Sequence, residues 1–281
     1  MCMRLQPLIV ALSTTLLFLW ETPSLADIEV LWLGHGAIRL TSENGKVIVI
    51  DPFLKKNPKT PEKYKDLASI GKVDLILITH GHIDHTDDLE ELASLNDATV
   101  VANFELANQL ATIGAVNKSK IIAMNKGGTI KPLGRGIDIH MVPAEHSSSL
   151  DLWVFGSHLR NDMNVESRRY LEGGESVGYV IDFENDFTIY ASGDTHVFGD
   201  MKLINTFHSP DLALVCIGGH FTMGPKGAAY AIRELIQPKK VIPVHYGTYP
   251  VINRTPEEFE EALKDPSIEV LAVEPGQALK F

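Results

Sequence analysis

The chain has 281 residues, 44% of them hydrophobic and 22% charged, and its 25 basic and 36 acidic side chains give a formal net charge of −11. This composition supports one large packed domain or two small ones, and it excludes a disordered chain or a repeat array. The acidic balance excludes nucleic acid as a general partner, because nonspecific binding to phosphates needs a basic face.

The first 26 residues have the features of an export signal. Arg4 supplies a positive start, Leu8 to Trp20 is a mostly apolar run of 13 residues, and small residues precede a cut after Ala26. A membrane anchor is the alternative, but 13 helical residues span about 20 Å, less than the roughly 30 Å of a hydrocarbon core. We therefore expect residues 1–26 to be a signal peptide and 27–281 the mature domain, periplasmic or secreted and without stable membrane insertion.

Short strands are predicted at the start of the mature chain. They are Ile28 to Leu33, Ala37 to Thr41 and Val47 to Ile50, with a turn at Glu43 to Lys46. Thr60 with Pro61 predicts the capped start of a helix that ends near Gly71. The continuous apolar run from Asp74 to Thr79 predicts a strand buried on both faces.

From there the predicted strands and helices alternate, which favours α/β layering. Helix Asp88 to Leu95, strand Thr99 to Ala102 and helix Phe104 to Ile113, capped by Asn103, come first. The later predicted strands are Ile137 to Val142, Val177 to Phe183, Phe187 to Ala191, Leu212 to Ile217, Val241 to Val244 and Val270 to Val273. The later helices are Pro225 to Ile236 and one that opens with the capping box Thr255-Pro256-Glu257-Glu258.

Two further features concern the second half of the chain. Residues from about 150 to 173 show no clear period and predict an insertion over the site; Arg160, Arg168 and Arg169 within it are either contacts for an anionic substrate or solvated surface charge. Cys216 remains alone after signal removal, so no intramolecular disulfide is expected, and its apolar neighbours predict a buried strand residue.

A histidine-rich loop directly follows the strand at Asp74 to Thr79. It reads His80-Gly81-His82-Ile83-Asp84-His85 and brings three imidazoles and a carboxylate together within six residues. Alternate positions of an extended chain point to one side, so His80 and His82 can share one ion, while Asp84 and His85 can face another after the chain turns. So dense a cluster indicates a metal site rather than ordinary polar residues.

Three more ligand-type side chains lie just beyond the ends of later predicted strands. His146 follows the strand at Ile137 to Val142, Asp194 follows Phe187 to Ala191, and His245 follows Val241 to Val244. Ligands of open α/β sheets bind at the carboxyl ends of strands, so we expect these positions to converge on the histidine-rich loop. By contrast, His140, His158 and His208 have no pattern around them and are assigned no role.

With these motifs the sequence resembles the metallo-β-lactamase superfamily, whose signature is His-x-His-x-Asp-His followed by a separate His, Asp and His. It is similar in particular to the metal-dependent hydrolase branch that includes L-ascorbate-6-phosphate lactonase relatives. The motifs behind this narrower resemblance are Trp32-Leu33-Gly34-His35, Ile50-Asp51-Pro52-Phe53, His146-Ser147-Ser148-Ser149, Gly193-Asp194-Thr195, Gly218 to Pro225 and Pro243-Val244-His245-Tyr246. The export signal and the insertion depart from the pattern of the branch.

The resemblance implies a four-layer αβ/βα sandwich of two mixed sheets with helices outside. It also implies two divalent ions: one on His80, His82 and His146, a second on Asp84, His85 and His245, and Asp194 bridging the pair. Asp51 matches a structural Asp of the family that would orient an imidazole. His35, His220 and Tyr246 are candidates for substrate contact, with ordinary loop or packing roles as the alternative.

This ligand set predicts hydrolysis of an ester, lactone, amide or phosphodiester bond in a small-molecule substrate. Two ions about 3.5–4 Å apart lower the pKa of a shared water, so a bridging hydroxide attacks without a protein nucleophile. Asp84 and Asp194 are the predicted catalytic carboxylates, since both reduce repulsion between the cations and Asp194 can orient the hydroxide. Imidazole with carboxylate suits zinc, and manganese or iron remain open. An exported protein that binds metal or ligand without turnover is the alternative function.

Overall fold

The structure, a computed structural model, describes residues 28–153, 155 and 170–281. The first described sheet contains, in spatial order, β16 (Ala278–Lys280), β1 (Glu29–Gly34), β2 (Ala37–Thr41), β3 (Val47–Ile50), β4 (Leu75–Leu77), β5 (Thr99–Asn103) and β6 (Ile121–Met124). The second contains β15 (Glu269–Val270), β14 (Lys240–Val244), β13 (Leu212–Cys216), β12 (Thr188–Ala191), β11 (Val177–Asp182), β8 (Asp138–Pro143) and β7 (Thr129–Ile130). The strands β9 (Ser149–Asp151) and β10 (Tyr170–Glu172) pair separately.

Helices lie between these strands in the chain. The α-helices are α1 (Glu62–Lys65), α2 (Ile83–Thr86), α3 (Leu89–Asn96), α4 (Phe104–Thr112), α5 (Met201–His208), α6 (Pro225–Tyr230) and α7 (Pro256–Leu263). Short 3₁₀ turns span Leu67–Ile70, Lys118–Lys120 and Pro250–Ile252, and a π-helical turn, Ala231–Ile236, continues α6. Among the described helices none is long and apolar enough to cross a membrane.

Side chains that alternate along the strands divide the core into three layers of apolar contact. Ile48 of β3 and Ile181 of β11 belong to the layer between the two sheets. Val49 belongs to the layer that α3 and α4 cover, and Val180 to the layer that α5, α6 and α7 cover. Strands buried on both faces need apolar residues at every position, which is why they are continuous apolar runs. The predicted four-layer sandwich is therefore confirmed.

Strand direction places the candidate site at one edge of the sandwich. The strands β3 to β6 are mutually parallel, and so are β12 to β15. The carboxyl ends of β3, β4, β12 and β14 carry Asp51, the histidine-rich loop, Asp194 and His245 to this common edge. The two sheets are also joined there, since the buried Tyr179 hydroxyl of β11 donates to the Ile78 carbonyl at 2.9 Å.

Of the three predicted N-cap residues, two cap their helices and one does not. Asn103 caps α4 by accepting from Leu106 N, and Thr255 forms the expected capping box. The expected cap at Thr60 is wrong: its hydroxyl donates to the Leu33 carbonyl at 2.8 Å, and α1 begins at Glu62. The hydroxyl is therefore bound to the backbone of a strand distant in sequence and not to the helix. In place of the predicted long helix, the structure has a short α-helix followed by a 3₁₀ turn.

Several elements carry too weak a pattern to be predicted. The strands β6, β7 and β16 are two to four residues long, and α5 exposes Leu203 and Phe207 while burying Met201 and Ile204. The predicted insertion of about 150–173 begins and ends in the pair β9 and β10, whose Leu150 is buried. Its three arginines, like the expected signal peptide of residues 1–26, lie outside the described residues.

Candidate metal centre

The histidine-rich loop folds back on itself because α2 begins directly after His82. His80 and His82 face each other, with His80 Nε2 3.0 Å from His82 Nδ1. One turn of α2 returns His85 to the same place, and its ring centroid lies 4.1 Å from that of His80. Asp84, on the same turn, projects to the other side and reaches His35.

Side chains from three distant strand ends complete the cluster around Asp194. The carboxylate oxygen Oδ2 of Asp194 lies 3.1 Å from His245 Nε2 and 3.7 Å from His146 Nε2, while Oδ1 lies 3.5 Å from His85 Nε2. The His146 ring also lies 5.0 Å from His80, centroid to centroid. The expectation that these positions converge is confirmed: all seven candidate ligands lie in one cluster.

Within this cluster the donor atoms form three groups whose members all lie within 4.8 Å of one another. The groups are His80 with His82 and His146; His80 with His85 and Asp194; and Asp84 with His85, His245 and His35. Two donors on one zinc ion are at most about 4.2 Å apart, twice a bond of about 2.1 Å, so small side-chain shifts suffice for coordination. The first group is one of the two ligand sets implied by the resemblance, and the third is the other set with His35 added. The second group places Asp194 beside one member of each set.

Unpartnered polar atoms show that the donor set fits cations. Among the described residues, buried atoms without a hydrogen-bond partner include His85 Nε2, Asp194 Oδ1 and both ring nitrogens of His245. His245 Nε2 approaches Asp194 without the alignment of a hydrogen bond. Each such orphan costs about 1–3 kcal/mol, so four in one cluster are expensive unless another group binds them. Divalent cations satisfy nitrogen and carboxylate donors of this kind.

The electrostatics of the cluster set the protonation state of each candidate ligand before a metal binds. Burial and the neighbouring His85 lower the pKa of His80 well below its usual value, which keeps this imidazole neutral. Burial by itself would raise the pKa of Asp194, but His245 and His85 hold it well below its usual range. Burial would likewise lower the pKa of His85, whereas the carboxylates of Asp194 and Asp51 raise it well above. A divalent ion replaces the proton when an imidazole binds metal.

Asp51 orients the His85 ring through the nitrogen that faces away from Asp194, the role expected for it from the sequence. Its Oδ2 lies 2.8 Å from His85 Nδ1 and accepts from the Thr79 hydroxyl at 2.6 Å, while its Oδ1 accepts from the Thr79 backbone N–H at 2.8 Å. Because Nδ1 is bound to this carboxylate, His85 presents Nε2 to Asp194. Such support fixes the orientation and tautomer of an imidazole ligand.

Backbone strain is concentrated at the same strand ends. His35, Asp51 and His245 have φ values of 56°, 48° and 54°, in the left-handed region that costs a residue with a Cβ roughly 1–2 kcal/mol. Hydrogen bonds compensate: the His35 carbonyl accepts from His245 N at 3.0 Å and from the Trp32 indole at 2.9 Å. Such strained residues persist where the surrounding structure requires the conformation, which is typical of functional sites.

His35 is the site residue whose role sequence reasoning left undecided. It is completely buried, with Nε2 3.0 Å from Asp84 Oδ2 and Nδ1 2.9 Å from the Thr248 hydroxyl. Its ring centroid lies 3.7 Å from that of His245. Burial and the neighbouring His245 lower the pKa of His35 to about 4, so it is neutral at pH 7. Its position directly after a strand is a sequence feature that points to the site. No sequence feature indicates its pairing with Asp84, 49 residues away.

Replacing His35 by asparagine is expected to weaken metal binding about 10- to 100-fold, the usual cost of losing a partner that orients a ligand. Asparagine tolerates the left-handed backbone of this position but is too short to reach Asp84. Competition with a chromophoric zinc chelator measures the affinity. Unchanged affinity would show that His35 does not position Asp84, and His220→Asn, at an exposed histidine with a similar φ of 57°, is the matched control.

Gly36 provides a test of the position of His85 in the site, because a Cβ at Gly36 would lie 2.9 Å from His85 Cε1. We expect Gly36→Ala to displace the His85 ring and lower turnover by about 100-fold, since a misplacement of about 1 Å can cost that much. Gly199→Ala is the control, because a Cβ at Gly199 meets nothing within 4 Å. Metal content and turnover are measured for both variants, and equal values for the two would contradict the proposed place of His85 in the site.

Other residues singled out in the sequence have different roles. Cys216 is fully buried as predicted, and burial together with Asp194 raises the pKa of its thiol to about 11, so it is no nucleophile at neutral pH. Tyr246 stacks on Trp32 with ring centroids 5.3 Å apart, and burial raises its pKa to about 12. His220 is exposed and contacts Phe221.

Comparisons with known proteins agree with the fold and the site. A family model described as Beta-lactamase superfamily domain matches residues 46–246. A UPF0173 metal-dependent hydrolase of Polaromonas sp. is 45% identical over 93% of this chain and 93% of its own length. One of Methanosarcina mazei is 38% identical over 92% of this chain and all of its own. The structure of Igni18, a metallo hydrolase of Ignicoccus hospitalis, has a TM-score of 0.76 at 29% identity, covering 91% of this chain and 98% of that one.

The two-sheet sandwich with a histidine-rich edge defines a metallo-hydrolase of the metallo-β-lactamase fold, so the resemblance found in the sequence is confirmed at this level. The chain belongs to the beta-lactamase superfamily and, within it, to the UPF0173 metal-dependent hydrolases. The narrower resemblance to L-ascorbate-6-phosphate lactonase relatives stays a prediction.

Proposed function

We propose that this metal-dependent hydrolase is dinuclear and cleaves an ester, lactone, amide or phosphodiester bond. The observation that carries the proposal is the place of Asp194, whose carboxylate lies within 3.7 Å of His146 on one side and within 3.5 Å of His85 and 3.1 Å of His245 on the other. A carboxylate between two sets of nitrogen donors is suited to join two cations. We assign His80, His82 and His146 to one ion and Asp84, His85 and His245 to the other.

When bound, two divalent ions supply an activated water at neutral pH and polarise the oxygen of the scissile group. Asp194 is buried between the ligand sets, and His245 and His85 hold its pKa well below its usual range, so it is ionised and can orient the attacking water. Asp84 offsets the positive charge on the open side of the site, where its side chain is 29% exposed. Asp51 and His35 position His85 and Asp84.

We further propose that the substrate is anionic. A cavity of about 1030 Å³ adjoins the loop that follows Asp194: His196 lines it, and its wall residue Met223 donates its backbone N–H to the carbonyl of Thr195, although none of the seven candidate ligands lines it. Its charged lining comprises Lys226, Arg233, Arg254 and Lys264 against Glu258 and Glu261. An excess of cations in one cavity of a chain with net charge −11 favours an anion.

The metal and the location are also proposals. All seven assigned ligands are imidazoles or carboxylates, and the set lacks thiolate; it suits zinc and admits manganese or iron. Metal analysis of protein purified without added ions tests this assignment. Export to the periplasm or the medium is proposed from the signal-like residues 1–26, and sequencing the amino terminus of the mature protein tests it.

The hydrolase is tested with the metal-loaded protein on chromogenic esters, lactones, phosphodiesters and a β-lactam. Turnover that a chelator stops and added metal restores would support the proposal. The panel includes pairs of equal reactivity that differ by one negative charge, and the anionic member should have the lower KM. Metal uptake without turnover of any class would instead favour a protein that binds metal or ligand without turnover.

A further inference from the structure

A second group of metal-type side chains lies on the outer face of the second sheet. His140 comes from β8, Asp182 ends β11, and His208 is the last residue of α5. Their donor atoms all lie within 4.8 Å of one another, and the rings of the two histidines are 4.5 Å apart, centroid to centroid. The group lies at the opposite end of the strands from the candidate metal centre, because β11 starts at the site edge and Asp182 ends it.

The strand register builds this group into the sheet. Thr129 lies directly opposite His140, and Thr188 lies directly opposite Asp182. His140 and Asp182 are diagonal neighbours on adjacent strands, since His140 is paired with Val180. Four adjacent strands therefore contribute one row of polar side chains, which His208 approaches from the covering helix.

Hydrogen bonds within the row orient both sheet ligands. His140 Nδ1 lies 2.8 Å from the Thr129 hydroxyl, and Asp182 Oδ1 accepts from the Thr188 hydroxyl at 2.8 Å. The remaining atoms, His140 Nε2 and Asp182 Oδ2, face each other at 2.9 Å. In metal sites, the atom of an imidazole or carboxylate that does not face the ion commonly has a hydrogen bond of this kind, which fixes the orientation of the ligand.

The surroundings favour a cation. His208 ends α5, and the carbonyl end of a helix carries partial negative charge. Asp138 lies opposite Asp182 in the register, and its carboxylate is paired with Lys131 at 2.6 Å, so its charge is balanced outside the group. The side chains of His140 and Asp182 are 16% and 39% exposed, so an ion and a water ligand have access.

We propose that His140, Asp182 and His208 form a peripheral binding site for a zinc-type divalent ion. Two imidazoles and one carboxylate with a water give the four ligands that zinc prefers. The ion ties the end of α5 to two strands of the sheet, remote from hydrolysis. This inference does not rest on the proposed function.

Equilibrium dialysis against zinc, followed by metal analysis of the protein, tests the site. We expect His208→Ala and Asp182→Asn each to hold one zinc per chain fewer than the unchanged protein, with turnover retained. His220→Ala, at an exposed histidine outside the group, should lose none. Asparagine keeps the size of Asp182 and an acceptor for Thr188 but removes the charge, so a group held by hydrogen bonds alone would tolerate it.

Equal zinc content in all four proteins would overturn the proposal, and so would an equal loss in His220→Ala. Thermal melting gives an independent readout: zinc should raise the Tm of the unchanged protein more than that of His208→Ala. An identical zinc-induced shift in both would contradict the site, and circular dichroism checks that each variant is folded.

Discussion

Replacing Asp194 by asparagine is expected to lower turnover by more than about 100-fold, since losing even a group that orients a metal ligand costs about 10- to 100-fold. The amide keeps the shape of the side chain but removes the charge that faces His85 and His245. Repulsion between two cations would then be uncompensated, so the variant should also hold less metal. Steady-state kinetics and metal analysis measure the two effects.

Asp200→Asn is the matched control, because Asp200 is an exposed aspartate six residues away whose side chain does not cap α5. It should keep full turnover and metal content. Normal turnover in Asp194→Asn would remove the carboxylate from the reaction and with it the proposed dinuclear arrangement. Loss of turnover with full metal content would assign Asp194 to the handling of water and proton.

Metal removal is expected to abolish turnover and to lower the Tm by about 10 °C. An ion held at about 1,000 times its dissociation constant stabilises the fold by about 4 kcal/mol, and each kcal/mol shifts the Tm of domains of 150–250 residues by about 2–4 °C. The buried nitrogens of His85 and His245 and the Asp194 carboxylate would lose their partner. Calorimetry before and after dialysis against a chelator measures the shift.

The scan is made in the His208→Ala variant as well, so that loss of a peripheral ion is not mistaken for loss from the centre. The larger part of the shift should persist in that variant. An unchanged Tm in both proteins, with turnover intact, would show that the cluster around Asp194 is stable and active without metal, contrary to the proposed function.

Much of the fold could be predicted because its signals are local. The run from Leu75 to Ile78 is apolar at every position since both faces of β4 are buried, and that pattern is visible in the sequence. The capping box at Thr255 is likewise complete within four residues. Thr60, followed by Pro61, has an equally good local capping pattern, but its hydroxyl donates a hydrogen bond to the Leu33 carbonyl, 27 residues away, and does not cap the helix.

The sequence by itself determined the chemistry of this protein: the density of imidazoles after β4, the ligand types after β8, β12 and β14, and the strand ends that carry them. Tertiary structure alone decided the partners, because hydrogen bonds such as those of His35 with Asp84 and of Asp51 with His85 join segments whose spacing obeys no local period. The same holds for His140 and His208, which have no pattern in the chain and meet because a helix packs on the sheet.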